Sequence, residues 1–156
     1  MEVRKLTEED LDRYHNEIVK FIYENLNINL PFIKEKEELA KEKYIDIVRF
    51  NKDGSAILYG AFEETMIGFL WAYEREVLGE KRLHLTHLIV DSNVRGKGIG
   101  SALIEKLRAA ALERKVSKIE LWATTSNENA VSFYKKCDFD IKRVQMETEM
   151  GEQDAD

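Results

Sequence analysis

The stretch Val94–Ala102, VRGKGIGSA, places glycine at positions 96, 98 and 100, directly before an apolar run that favours a helix. Glycine lets backbone N–H groups approach a ligand closely and permits positive φ, and a helix begins with unpaired N–H groups at its positive end. Both features suit an anion, above all a phosphate. The stretch therefore predicts a phosphate-binding loop at the start of a helix, with a tight strand-to-helix turn as the purely structural alternative.

Two common glycine patterns for phosphate binding do not match this stretch. A P-loop would need glycine where the chain has Asp91, and Ser or Thr where Gly98 follows Lys97. A dinucleotide fingerprint would need glycine in place of Ser101 and a position after the first strand of a βαβ unit, whereas this loop lies in mid-chain. Both patterns are therefore excluded.

Outward from this loop, the spacing of apolar residues predicts helices and strands around one core. Apolar residues recur at helical spacing from Leu11 to Leu26, and Thr7 precedes that helix as an N-cap candidate. The predicted elements are a strand at 2–6, helices at 8–26 and 32–50, strands at 55–62, 66–73 and 82–90, a helix at 98–115, a strand at 118–124, a helix at 127–137 and one or two closing strands within 139–150. This order is typical of a mixed α/β sheet in one domain, 1–150, followed by a frayed acidic tail, 151–156.

Length and charge limit the classes to which the protein can belong. With 156 residues, 44% of them hydrophobic, and a single proline, the chain fits one globular domain. No apolar run approaches the roughly 18 residues of a membrane span, and the first ten residues lack the apolar region of a signal peptide. The net charge of −6 argues against nonspecific nucleic-acid binding, which needs a basic face. We therefore expect a cytoplasmic protein with no membrane or nucleic-acid partner.

The chain has one cysteine, Cys137, which excludes an intrachain disulfide framework and a multi-cysteine zinc site. It lies in an amphipathic segment with no histidine nearby in the sequence. We therefore expect this thiol to pack in the fold rather than to act as a nucleophile.

Two motifs in the order given above resemble the GCN5-related N-acetyltransferase (GNAT) superfamily. Its signature, Arg/Gln-x-x-Gly-x-Gly/Ala, reads here as Arg95–Gly100, and its second block, an Asn followed by Tyr and a Gly-Phe pair, is matched by Asn127, Tyr134 and Phe139. Asp138 replaces the usual Gly at a helix C-terminus that often requires positive φ, a conformation that Asp tolerates better than most residues. The resemblance covers essentially the whole chain and implies a central mixed, mostly antiparallel sheet flanked by helices.

The resemblance implies acetyl-CoA as co-substrate and no metal. The amides of residues 96–101 and the helix dipole would hold its pyrophosphate, Arg95 and Lys97 would add positive charge, and the pantetheine arm would pair with the strand backbone at 88–90. Asn127 or Asn129 would cap the following helix and contact the cofactor. The cofactor residues implied in this way are Leu88, Ile89, Val90, Arg95, Gly96, Lys97, Gly98, Ile99, Gly100, Ser101, Asn127, Asn129, Ala130 and Tyr134.

Transfer needs a neutral amine, a donor for the oxyanion and a proton for the departing thiolate. Tyr134 matches the family's tyrosine beside the sulfur, and a phenol with a pKa near 10 could protonate the thiolate. The structural alternative is a core aromatic residue on an amphipathic helix. Because Cys137 has no histidine nearby in the sequence, we expect direct transfer in a ternary complex rather than a covalent acyl-cysteine.

The general base has three candidates, His84, Glu120 and, less favoured, His87. Strict alternation along the strand would put His84, Thr86, Leu88 and Val90 on one face and Leu85, His87 and Ile89 on the other. His84 and Thr86 occupy positions where relatives of the family often carry a glutamate that deprotonates the amine, and a histidine titrates near neutrality. Glu120 lies on the neighbouring strand, and a structural histidine is the alternative for His84.

The resemblance therefore implies an N-acetyltransferase that acts on a primary amine, with a small molecule favoured over a protein or peptide. The alternative from another class is a catalytically silent domain that binds acyl-CoA as a sensor or interaction module. The acceptor would lie between the first helices and the closing strands, and the sequence leaves a homodimer open. Candidates for the acceptor wall are Tyr23, Asn25, Asn27, Asn29, Phe32, Trp71 and Tyr73.

Overall fold

The computed structural model describes residues 1–151, so the predicted tail 151–156, apart from Gly151, lies outside the described residues. Its elements are β1 (Glu2–Lys5), α1 (Glu8–Arg13), α2 (His15–Asn29), α3 (Lys36–Lys52), β2 (Ala56–Phe62), β3 (Met66–Val77), β4 (Glu80–Val90), a 3₁₀ turn (Ser92–Val94), α4 (Ile99–Glu113), β5 (Ile119–Leu121) and α5 (Glu128–Lys136). No helix within residues 1–151 is long and apolar enough to cross a membrane.

The five strands form one sheet in the order β1-β2-β3-β4-β5. Each neighbouring pair up to β4 is antiparallel, and β5 lies parallel to β4 because the chain crosses over through α4. The predicted mixed, mostly antiparallel sheet is therefore confirmed.

Helices cover the two faces of the sheet with separate apolar cores. On the first face, α1, α2 and α3 bury a stripe that includes Ile18 and Ile22 against Phe69 and Trp71. On the second face, α4 buries its own stripe against the opposite side chains of β2, β3 and β4, Leu70 among them. We refer to these sides as the first and second faces below.

The predicted helix at 8–26 is wrong in one respect, because two helices meet at Tyr14. Thr7 caps α1 as predicted: its hydroxyl accepts the Asp10 N–H, and the Asp10 carboxylate accepts the Thr7 N–H at 2.8 Å. The Asp10 carboxylate also pairs with both Nη atoms of Arg4 on β1, at 2.7 and 3.0 Å. This ion pair fixes α1 to the sheet. Residues 8–26 contain no glycine or proline that would have indicated the break between the two helices.

The prediction of closing strands within 139–150 is also wrong, since the structure assigns no strand to that segment. Alternating apolar residues can form a strand only where a sheet edge offers partners for their backbone groups, and the edge strand β5 is three residues long. Ile141, Val144, Met146 and Met150 are consequently exposed.

A β-bulge in β4 overturns the predicted alternation of its side chains. In the register with β3, His87 lies opposite Trp71 and Leu85 lies opposite Ala72, so Thr86 is an extra residue. His84 and His87 therefore project from the same, first face. Strict alternation had placed them on opposite faces.

Candidate active site

The sheet opens between β4 and β5. These strands pair only where Leu83–Leu85 meets Ile119–Leu121, and within the described chain residues 86–90 of β4 have no neighbour on that side. The residues expected to pair with the pantetheine arm lie along this opening: Leu88, Ile89 and Val90. An extended ligand arm with amide groups could complete the backbone pairing there.

The glycine loop presents its backbone N–H groups without partners. Among residues 1–151, the amides of 95–101 donate no hydrogen bond, and the first helical bond of α4 runs from Ala102 N–H to the carbonyl of Gly98 at 3.0 Å. The first turn of α4 carries neither a side-chain cap nor an acidic residue. Arg95 and Lys97 are exposed beside these amides. The arrangement fits a diphosphate at the positive end of a helix.

Glycine is required at the three positions of the loop for different physical reasons. Gly96 and Gly98 have φ values of 84° and 76°, and an added Cβ would meet no atom within 4 Å, so the left-handed backbone requires glycine there. At Gly100 an added Cβ would lie 3.0 Å from Cζ of Phe133. The third glycine therefore lets α5 pack closely against α4, a reason that the sequence pattern does not indicate.

Asn127 connects α5 with the end of α2. Its side-chain oxygen accepts the Ala130 N–H at 3.3 Å, as expected for a cap, and its Nδ2 donates to Oδ1 of Asn29 at 2.9 Å. The hydroxyl of Thr124 donates to the carbonyl of Asn29 at 3.1 Å. Asn129 is exposed, so Asn127 rather than Asn129 is the cap.

Tyr134 lies on α5 with its ring half-buried on the second face. Its ring meets those of Phe133 and Phe139 edge-on, with centroid distances of 5.4 and 5.7 Å. Burial raises the pKa of its phenol to about 12. The hydroxyl has no hydrogen-bond partner among residues 1–151, so it is protonated at neutral pH and free to donate. Asp138, at the end of α5, has the expected positive φ of 65°.

His84 and Glu120 form a buried pair across the parallel strands. His84 Nδ1 lies 3.1 Å from Glu120 Oε2, and the two residues are register partners. Burial lowers the pKa of His84, while the hydrogen bond to Glu120 opposes this effect. The imidazole is therefore neutral at pH 7. With its Nδ1–H donated to the carboxylate, Nε2 keeps its lone pair and could accept a proton.

His87 has a different environment on the same face. It is 4% exposed, its Nδ1 lies 3.2 Å from Oδ1 of Asn25, and its ring packs 5.4 Å from that of Trp71. Burial lowers its pKa to about 3. His87 therefore stays neutral and serves to hold α2 on the sheet.

Buried polar atoms without hydrogen bonds are concentrated near the bulge. Native folds leave few such atoms, because each costs about 1–3 kcal/mol. In the part of the chain that the structure describes, all of them lie on β3, β4 and β5: Trp71 Nε1, Arg75 Nε, Thr86 Oγ1, His87 Nε2 and Glu120 Oε1. Arg75 Nε and Glu120 Oε1 lie 3.3 Å from each other in an ion pair, and the other three atoms lie at the bulge. Arg75 was missed in the sequence, although it lies two residues beyond Tyr73 on the same face of β3.

The residues expected to form the acceptor wall are distributed unevenly. Trp71 and Tyr73 lie on the first face next to the two histidines, and Tyr73 stacks on Phe50 with a centroid distance of 5.1 Å. Phe32 is exposed on the connection between α2 and α3. Oδ1 of Asn27 on α2 accepts a hydrogen bond from Nζ of Lys36 on α3 at 3.1 Å, so this side chain links the two helices.

The remaining candidates for reactive side chains are the thiol of Cys137 and metal-binding groups. Cys137 is half-buried against the second-face core, and burial raises the pKa of its thiol, which is unfavourable for a nucleophile. Residues 1–151 contain no group of three or more His, Cys, Asp or Glu side chains that could hold a metal ion.

The sequence matches a known family model and a curated relative. Residues 19–139 match the model described as the Acetyltransferase (GNAT) family. The uncharacterized N-acetyltransferase MJ1207 of Methanocaldococcus jannaschii is 27% identical over 147 residues. That match covers 91% of this chain but 62% of the relative, so the chain spans less than two thirds of that relative's length.

Two solved structures share the fold over nearly all of the chain. A protein of Clostridium acetobutylicum, described as a predicted acetyltransferase and solved with acetyl-CoA, superposes with a TM-score of 0.77 at 19% identity, covering 95% of both chains. The aminoglycoside acetyltransferase meta-AAC0020 from a soil metagenome, solved with sisomicin, gives a TM-score of 0.70 at 18% identity and 96% coverage of both chains.

Proposed function

This chain belongs to the GNAT family of acetyltransferases, and we propose that it transfers an acetyl group from acetyl-CoA to the primary amine of a small molecule, by direct attack in a ternary complex. The observation that carries the proposal is the neutral His84 held by Glu120 two residues before the bulge residue Thr86, where β4 leaves β5. We propose further that residues 1–150 act as one domain.

The fit to acetyl-CoA rests on two features of the site. The unpaired amides of 95–101, with Arg95 and Lys97, would hold the pyrophosphate, and the unpaired side of Leu88–Val90 would hold the pantetheine amides. Acetyl-CoA supplies the thioester whose acetyl group is transferred.

In this mechanism His84 acts as the general base. Its Nε2 takes one proton from the acceptor amine, whose nitrogen forms a bond to the acetyl carbon as the carbon–sulfur bond breaks. Glu120 accepts the Nδ1–H of the resulting imidazolium and stabilises its charge. Because burial lowers the pKa of His84, the base is unprotonated before the amine arrives.

Tyr134 acts as the general acid. Its hydroxyl donates a proton to the departing thiolate and later regains one from solvent, to which His84 releases the proton that it took from the amine. The pKa of about 12 makes the phenol a weaker acid than a free tyrosine. The same burial disfavours a thiolate beside it, which raises the pKa of the thiol as well and keeps the proton transfer favourable.

The choice of a small amine is supported by a similar structure and by the site itself. The meta-AAC0020 protein is named an aminoglycoside acetyltransferase, and its fold matches this chain over 96% of both. The ring of Trp122, which is 78% exposed, lies 4.9 Å from that of His84, and a small amine could approach His84 past this ring.

The first experiment is a calorimetric titration of the purified protein with acetyl-CoA, with ATP and NAD as controls. We expect saturable binding of acetyl-CoA alone. A panel of primary amines is then screened by release of free CoA, and turnover separates an enzyme from a silent acyl-CoA sensor. Absence of acetyl-CoA binding would overturn the proposed function, and binding without turnover of any amine would favour the sensor.

A further inference from the structure

Arg75 is an arginine whose donors are unused. It lies on β3, and its Nε is 3.3 Å from Glu120 Oε1 in an ion pair without hydrogen-bond geometry. Among residues 1–151 its guanidinium donates no hydrogen bond. Its side chain is 32% exposed, so it can reach a ligand from solvent. A guanidinium carries five N–H donors in a planar fork that matches a carboxylate or a phosphate.

Strand register fixes the distance between Arg75 and the proposed base. Tyr73 pairs with His84, and Arg75, two residues further along β3, pairs with Arg82. Two residues of a strand span about 7 Å. A group bound to Arg75 would therefore lie several bonds away from an amine at His84.

The side chain of Trp122 lies between Arg75 and His84. Its exposed ring lies 4.9 Å from the His84 ring, and Cζ of Arg75 lies 5.6 Å from its centroid. An exposed aromatic ring between a base and a cation offers an apolar floor for the carbon chain of a ligand. Trp122 thus lies against both Arg75 and the buried ring of His84.

The local charge differs in sign from that of the protein. Three basic side chains, Arg75, Arg82 and Lys118, share one network with two acidic ones, Glu80 and Glu120. This local excess of positive charge occurs in a chain with a net charge of −6. Glu120 alone does not require two arginines, because it already pairs with His84.

We propose that Arg75 binds an anionic group of the acceptor, so that the substrate is a small primary amine that carries a carboxylate or a phosphate. This inference rests on the proposed function, since His84 defines where the amine lies. The guanidinium holds the anionic group, Trp122 supports the connecting carbons, and the amine reaches Nε2 of His84. Arg75 is thereby a specificity-determining residue of the acceptor site.

The test uses matched amines with and without the anionic group: β-alanine against β-alaninamide, and phosphoethanolamine against ethanolamine. The protein variants are Arg75→Gln, Arg75→Lys and the control Arg13→Gln, whose arginine lies on α1 over Tyr14 at 5.4 Å. We expect wild type to prefer the anionic member of at least one pair. Arg75→Gln should reduce the ratio of kcat/KM for that member to kcat/KM for its neutral partner by about 10- to 100-fold, with Arg75→Lys intermediate.

The two pairs distinguish a carboxylate from a phosphate as the source of the charge. Equal losses on the anionic and neutral members would overturn the inference, because they would mean that Arg75 acts through Glu120 and His84. Wild-type kinetics without preference for either anion would overturn it as well.

A second readout does not require turnover. Trp122 is exposed and Trp71 is 2% exposed, so a ligand that lies against Trp122 should change mainly the emission of that residue. Titration with phosphoethanolamine or β-alanine should change the emission saturably in wild type and in Arg13→Gln, and at tenfold or higher concentrations in Arg75→Gln. A response equal to that of the neutral amines would overturn the inference even if acetyl-CoA binds. Failure of acetyl-CoA binding is measured separately and concerns the proposed function.

Discussion

His84 Nδ1 and Glu120 Oε2 lie 3.1 Å apart, although 36 positions separate the two residues in the chain. The crossover through α4 brings β5 parallel to β4, and the three-residue register makes these residues neighbours on one face. The pair lies beside the point where the two strands separate. This position gives the proposed base both a polarising partner and access to the opening.

His84→Ala should reduce kcat/KM by about 100-fold at neutral pH, because the amine would lose its proton acceptor. The control His15→Gln, at an exposed position that begins α2, should retain wild-type kinetics. The rate at which free CoA is released is measured for wild type and for both variants. Wild-type kinetics in His84→Ala would remove His84 from the mechanism.

Glu120→Gln should shift the acid limb of the pH profile. In wild type, kcat/KM rises as His84 loses its proton, at a pKa below 6.5. The hydrogen bond to Glu120 favours the imidazolium and raises that pKa, so its removal lowers the pKa and moves the limb to lower pH. The maximal rate should fall because the ring loses its orienting partner. A limb that stays in place or moves to higher pH would contradict this assignment.

Tyr134→Phe should lower kcat by about 100-fold and leave the Kd for acetyl-CoA unchanged, because only the proposed proton donor is removed. Tyr59→Phe, on β2 against the same second-face core, is the matched control and should be active. Calorimetry and turnover are measured on the same preparations. Normal turnover in Tyr134→Phe would show that the thiolate obtains its proton elsewhere.

Gly98→Ala should weaken acetyl-CoA binding more than the matched substitution Gly54→Ala. Both glycines have φ near 80° and open space around an added Cβ, so each substitution should cost about 1–2 kcal/mol of stability. Only Gly98 belongs to the loop whose amides would hold the pyrophosphate. Chemical denaturation and calorimetry separate the two effects, and equal acetyl-CoA affinities would argue against the phosphate role of the loop.

Asp10→Asn should reduce the stability of the fold at neutral pH and remove an acid-dependent component. The ion pair with Arg4 lowers the pKa of Asp10 from 3.8 to about 2, opposed in part by burial. The stabilisation, about 2 kcal/mol, is present above pH 4 and is lost as the pH falls towards 2. Unfolding curves between pH 2 and 7 test this, with exposed Asp12→Asn as control. An acid-unfolding profile identical in Asp10→Asn and wild type would contradict it.

Local patterns predicted most of the secondary structure. They also indicated the glycine loop before α4 as the candidate phosphate site. The N-cap at Thr7, the glycine loop before α4 and the cap at Asn127 or Asn129 each depend on residues within a few positions of one another, so the sequence contains the whole motif. The closing strand was predicted wrongly for the converse reason. A strand exists only with a partner, and alternation between Phe139 and Met150 says nothing about which edge is available.

By itself, the sequence determined the family, most of the helices and strands and the loop suited to a phosphate, because these follow from short-range spacing and backbone preference. The tertiary structure alone decided which polar groups meet. The extra residue Thr86 in β4 turns His84 and His87 to one face, and the register of β3 with β4 places Arg75 two residues along β3 from Tyr73, the partner of His84. Long-range pairing and bulges depend on the free energy of the whole sheet, and no local pattern in the chain encodes them.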